Sequence, residues 1–168
     1  HYRVEPDIMV MAKGIADGFQ LSAFIAREEI ADSFKPGDHL STFGGNPVSC
    51  AAGLANIEYM EEQKLADQAL KKGEFLKAQL ELLKTKYKMI GEIRGKGLMI
   101  GIELVRDQNK TPANTEATKI RDFCLEQGLL IGQGGVFGNV LRIQPPLVIS
   151  QKQMDGVMKI LNEAFSKI

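Results

Sequence analysis

Three side chains stand where their type and their neighbours point to chemistry. Lys13 ends the apolar run Ile8-Met9-Val10-Met11-Ala12 and is followed at once by Gly14. A short unbroken apolar run reads as a strand covered on both faces. A lysine at the end of such a strand is desolvated, which favours the neutral amine, the form that attacks a carbonyl. The alternative is a stem lying on apolar surface with its head in water. Arg142 stands between Leu141 and Ile143, just before Gln144-Pro145-Pro146. There it can hold a carboxylate bidentately, or serve as a structural ion pair or the solvent face of a strand. Thr42 opens Thr42-Phe43-Gly44-Gly45-Asn46-Pro47. A hydroxyl and free backbone N–H groups in a loop entering a helix can receive a phosphate, and the alternative is a plain helix-entry loop.

Other chemistries find little support. His1 and His39 are the only histidines, and with Cys50 and Cys124 they give no metal-ligand spacing. No metal site is therefore expected. Gly95, Gly97 and Gly101 space as G-x-G-x-x-x-G, one residue too long for a dinucleotide fingerprint and placed between strands. Neither a phosphate-binding G-x-x-x-x-G-K-[ST] loop nor a G-x-S-x-G elbow is present. Lys plus Arg and Asp plus Glu both number 21, so no global charge draws the chain to nucleic acid or an anionic membrane. No apolar run approaches the roughly 18 residues that span a bilayer. Both cysteines fall in apolar helical patterns and read as buried free thiols, which suits a reducing compartment and makes the cytoplasm the default location.

The elements that must position these residues follow from periodicity. Ile8 to Ala12 and Leu21 to Ala26 read as two strands at the heart of a sheet, followed by a helical turn from Arg27 that Pro36-Gly37-Asp38 stops. Asn46 caps and Pro47 starts a helix running to Gln63, with Cys50, Leu54, Ile57 and Met60 on its apolar side. Leu65 to Tyr87 is an amphipathic helix of about six turns. Met89 to Arg94 and Leu98 to Val105 are strands joined at Gly95-Lys96-Gly97, and Thr115 to Gln127 is a helix closed by Gly128. Leu129 to Ile131 and Val140 to Ile143 are short strands around a glycine-rich loop, and Ser150 caps a last helix from Met154 to Ile168. The order predicts the end of one α/β domain, residues 1–64, then a smaller α+β domain, residues 65–168, which includes the connecting helix.

Four ordered motifs carry a family resemblance. Ala12-Lys13-Gly14, with Asp7 before it and Gly18-Phe19 after it, is the first. Ser41-Thr42-Phe43-Gly44-Gly45-Asn46-Pro47, Arg94-Gly95-Lys96-Gly97-Leu98 and Leu141-Arg142-Ile143 before Pro145-Pro146 complete the set. Together they resemble the class III, fold type I, pyridoxal-phosphate-dependent aminotransferases over essentially the whole chain. The resemblance implies that Lys13 forms the Schiff base with pyridoxal 5'-phosphate and serves as general base. It implies that Thr42 reaches the cofactor phosphate of the neighbouring subunit in a homodimer, and that Arg142 grips the carboxylate of an amino acid or 2-oxo acid. The implied reaction is transamination between an ω-amino acid of the 4-aminobutyrate kind, or alanine, and a 2-oxo acid.

The same resemblance marks departures. The family's own-subunit phosphate loop, the aromatic residue over the ring and the carboxylate at the pyridine nitrogen precede the lysine strand, and none lies in these residues. With His1 in place of an initiator methionine, this leads to the expectation of a C-terminal piece of the fold, inactive alone. Gln20 replaces the proline often found after Gly-Phe. Two alternatives stay open: an amino-acid racemase or epimerase on the same scaffold, and a non-catalytic fragment or dimerisation module.

Overall fold

Two compact units divide the chain, His1–Gln63 and Lys64–Ile168. The computed structural model describes residues 2–168, and His1 lies outside the described residues.

In the first unit the β-branched and aromatic runs pair with each other. β1 (Ile8–Met11) and β2 (Ala23–Ala26) form an antiparallel two-stranded sheet with Ile8 opposite Ala26 and Met11 opposite Ala23. Its open end is closed by Arg27, whose N–H donates to Asp7 O at 3.1 Å and whose guanidinium lies 3.2 Å from the Asp7 carboxylate. Sequence predicted strands covered on both faces. Instead Ile8, Met9, Val10, Phe24 and Ile25 are exposed, Val10 to 76%. Within these residues the two strands find only each other, which leaves both faces without a layer to bury against.

A single helical turn, α1 (Glu28–Ala31), precedes α2 (Pro47–Glu62). Asn46 caps α2 as predicted, its Oδ1 accepting from Ser49 N at 2.9 Å, with Pro47 in the first turn where its missing N–H costs nothing. The buried side of α2 is a different one from that predicted. Ser49 and Gly53 are buried, whereas Leu54, Ile57 and Met60 are exposed, and so is Cys50, which sequence read as a buried thiol. The cause is close approach. A Cβ at Gly53 would lie 2.8 Å from Leu21 Cδ2 and 3.6 Å from Ile15 O, so only the small-residue face fits against the loop after β1.

The second unit has a conventional core. α3 (Leu65–Lys86), α4 (Asn114–Glu126) and α5 (Gln151–Ser166) accompany a four-stranded antiparallel sheet ordered β3-β4-β6-β5, with β3 (Ile90–Lys96), β4 (Met99–Leu104), β5 (Gly132–Gly134) and β6 (Val140–Ile143). Alternation puts Ile100, Ile102, Leu104, Leu141 and Ile143 on the face that joins Leu76 and Leu80 of α3, Ile120 and Cys124 of α4 and Leu161 of α5 in one buried cluster. Each such aliphatic side chain contributes about 1.5 to 3 kcal/mol when fully buried. The reading of Cys124 as a buried thiol holds, and burial pushes it up to about 11. A reciprocal Ser150–Gln153 capping box starts α5.

Boundaries differ from those predicted in several places: β2 starts at Ala23, not Leu21, and α5 runs Gln151–Ser166, not Met154 to Ile168. The β3–β4 hairpin turns at Gly97-Leu98, not at Gly95-Lys96-Gly97. Gly97 takes the left-handed φ of +52° and its carbonyl approaches α3 so closely that a Cβ on Gly73 would sit 2.0 Å away. The predicted strand at Leu129 to Ile131 is absent. The edge strand is the glycine segment Gly132–Gly134, with Gln133 opposite Leu141. Apolar content favoured the earlier residues, but the side chain of Arg142 needs glycines beside it.

Candidate active site

Lys13 follows β1 after one residue, Ala12, and adopts a left-handed backbone, φ +57°, a conformation that costs a residue with a Cβ about 1 to 2 kcal/mol. Such strain persists where surrounding structure holds it. The holding comes from α2, where Asn56 Nδ2 donates to Gly14 O at 2.9 Å and to Ile15 O at 3.2 Å while Gly53 packs behind Ile15 and Leu21. Sequence predicted a desolvated lysine; within these residues Lys13 is exposed, as is most of the strand before it. Among the described residues its ammonium has no ion-pair or hydrogen-bond partner. The amine is thus fixed at its backbone and free at its tip.

Thr42 lies four residues before the α2 cap in a turn that demands small residues. A Cβ at Gly44 would meet Ser41 Cβ at 2.7 Å, and Gly45 has φ +66°. Asn46 braces the turn by donating from Nδ2 to Phe43 O at 3.1 Å. At the helix start Pro47 has no N–H, the amide of Ser49 is taken by Asn46 Oδ1, and that of Cys50 reaches Asn46 O at 3.0 Å. The donors without a partner among the described residues are the Thr42 hydroxyl, the amides of its turn and that of Val48, groups of the kind that can receive an anion. Since α2 carries Asn46 at one end and Asn56 along its length, one helix positions both the Lys13 loop and the Thr42 turn.

Arg142 belongs to the second unit, on the sheet face opposite the core. Its side chain lies over the glycines of β5. A Cβ on Gly132 would stand 3.2 Å from Arg142 Nε, and one on Gly134 would stand 3.4 Å from it. Nη2 donates to Gln133 O at 3.5 Å, a weak anchor that leaves the other donors free. Arg94 pairs with Glu92 and Glu103, Arg106 with Glu116 and Arg121 with Asp122. Of the four arginines in this unit, Arg142 alone has no carboxylate partner among the described residues. An unpaired guanidinium with its stem bedded on glycine can bind a planar carboxylate.

Sequence reasoning missed the supporting residues. Asn56 looked like any polar residue on a helix, and only its spacing from Gly53 and Ser49 on one face marks it. Gly132 and Gly134 read as loop, although alternate glycines beside a strand arginine are the signature of a bed for a long side chain. Among the described residues no group of three His, Cys, Asp or Glu can hold a metal ion, and no helix is long and apolar enough to cross a membrane.

Comparison with known proteins gives the family of the chain. The family described as aminotransferase class-III matches residues 1–165, and the chain belongs to that family. It is 45% identical over 168 residues to alanine–glyoxylate aminotransferase 2 homolog 2, mitochondrial, of Arabidopsis thaliana, covering 99% of this chain and 35% of that protein. It is 42% identical to the leucine/methionine racemase of Thermococcus litoralis, covering 100% of this chain and 38% of that one. A crystal structure of a Bacillus anthracis aminotransferase superimposes with a TM-score of 0.93 at 38% identity, over 99% of this chain and 40% of that one. The chain thus spans between a third and two fifths of the length of these relatives, and its mixed α/β fold is that of aminotransferases.

Proposed function

We propose that this chain supplies the lysine, a phosphate contact and the carboxylate-binding arginine of a pyridoxal-phosphate-dependent aminotransferase acting between an ω-amino acid of the 4-aminobutyrate kind, or alanine, and a 2-oxo acid. The donor set fits the cofactor and substrate by its chemistry. An unpaired primary amine, an unpaired hydroxyl on a small-residue turn and an unpaired guanidinium are complementary to an aldehyde, a phosphate and a carboxylate. When bound, pyridoxal phosphate supplies an electrophilic aldehyde carbon and a ring that takes up an electron pair.

Lys13 would anchor the cofactor covalently through Nζ. Once displaced by the substrate amine, Nζ would move a proton to and from the reacting carbon as general base. The left-handed backbone and the Asn56 hydrogen bonds fix where that amine starts its swing, while its free tip lets it take both roles. Thr42 would donate its hydroxyl to the phosphate in the site of a second copy, which makes a homodimer part of the reading. Arg142 would orient the substrate by binding its carboxylate through paired N–H donors.

The observation that carries the proposal is Lys13, an exposed and unpaired amine on a strained residue whose loop is tied down from α2. Incubation of the full-length protein with pyridoxal phosphate, borohydride reduction and peptide mapping should give one phosphopyridoxyl group on Lys13. Lys13→Ala should lose both the adduct and turnover, on the order of 10⁴-fold. A normal rate in that variant overturns the assignment. The racemase among the relatives favours one second reading, racemisation with the same lysine and cofactor. Appearance of the D-amino acid without net 2-oxo acid product would select it.

A further inference from the structure

The open face of the second sheet holds an acid that does not pair with the arginine it could reach. Strand register aligns Arg94, Gly101, Arg142 and Gly132 in one row across β3, β4, β6 and β5. Glu103 stands two residues beyond Gly101 on the same face, opposite Val140, and so diagonal to Arg142. Diagonal neighbours on an antiparallel pair are within reach of long side chains. Gly101 puts no side chain of its own between the two guanidinium groups, and only Val140 leans over it, its Cγ1 3.2 Å from where a Cβ of residue 101 would stand. Yet Glu103 binds Arg94 Nη1, which also binds Glu92 at 2.9 Å, and Arg142 leans the other way over Gly132 and Gly134. The hydrogen bond from Arg94 to Glu103 is also the main reason that the Arg94 guanidinium is held above its ordinary value.

We infer that Arg94 is a positioning residue for carboxylate binding: by holding Glu103 it keeps an internal anion off Arg142 and leaves that guanidinium to the substrate. The inference rests on the reading of Arg142 as the carboxylate-binding group. Without Arg94, Glu103 becomes the competitor of the substrate, present in every molecule and at high effective concentration. The glycine bed of β5 and the Arg94 clamp then act to one end from the two sides of β6.

The test uses the full-length holoenzyme and propionate, a carboxylate without a reacting carbonyl, as competitive inhibitor, together with KM and kcat for the 2-oxo acid. Arg94→Gln should raise Ki and KM about fivefold while kcat stays within about twofold, the scale of a partly exposed ion pair. Arg94→Lys, which keeps the charge, should stay near the unmodified protein. Arg94→Gln combined with Glu103→Gln should recover Ki to within about twofold of it. An unchanged Ki in Arg94→Gln, or a double variant that does not recover, overturns the inference and marks a structural role. If Arg94→Gln does not fold, Arg94→Met with and without Glu103→Gln replaces it. Arg142→Ala separates the two claims, because an unchanged propionate Ki there defeats the reading of Arg142 itself.

Discussion

The two units hold their chemistry by different means. In the first, β1 and β2 expose apolar side chains on both faces, and the Lys13 loop is fixed by two hydrogen bonds from Asn56 and one glycine contact at Gly53. In the second, Arg142 sits on a four-stranded sheet whose other face belongs to a core drawn from three helices. The contrast teaches that a residue needing a defined starting point can be held by a few directional bonds. A residue needing a defined plane is better placed on a sheet that packing makes rigid.

The largest expected effect breaks the comparison directly. Leu80→Ala, at a site with no exposure, should destabilise the second unit by roughly 2 to 5 kcal/mol in denaturant unfolding of this chain. Val10→Ala, exposed, should change it by less than about 0.5 kcal/mol. Equal costs would mean that the β1–β2 hairpin has a packing layer after all. Next in size is Asn56→Ala, which removes both carbonyl partners and should cost about 1 kcal/mol, with faster amide exchange over Gly14 to Phe19 and none of that change in the second unit.

The cysteines sharpen the comparison most gently. Exposed Cys50 should react with a maleimide at neutral pH in the folded chain, and buried Cys124 should not. Burial raises the Cys124 thiol from 9.0 to about 11, so its contribution to stability is complete below the unfolded value. As pH rises, the unfolded chain releases that proton first, and stability should fall between pH 9 and about 11. The fall should vanish in Cys124→Ala.

Sequence was most informative where local rules and tertiary structure agree. Asn46 and Ser150 were readable as caps, α3 kept its predicted extent within a residue, and the alternation of β4 gave its buried face. Legibility failed where proximity overrode hydrophobicity. The buried side of α2 is Ser49 and Gly53 because the Lys13 loop comes so close, and β5 forms on Gly132–Gly134 because Arg142 occupies the space above it. Lys13, Thr42 and Arg142 could be singled out from type and motif. Their supports, Asn56, the β5 glycines and the Arg94–Glu103 pair, owe their meaning to contacts that no periodicity announces.

Asn46 and Asn56, on one helix, also set a limit on how this stretch of chain can vary in length. Each residue advances an α-helix by about 100° of rotation and 1.5 Å of rise. An inserted or deleted residue between them would therefore swing one asparagine a quarter turn or more away from its target while the other stayed engaged. The segment tolerates substitution on its exposed side but not a change of count, and it keeps the Lys13 and Thr42 segments in step as the teeth of a ruler would.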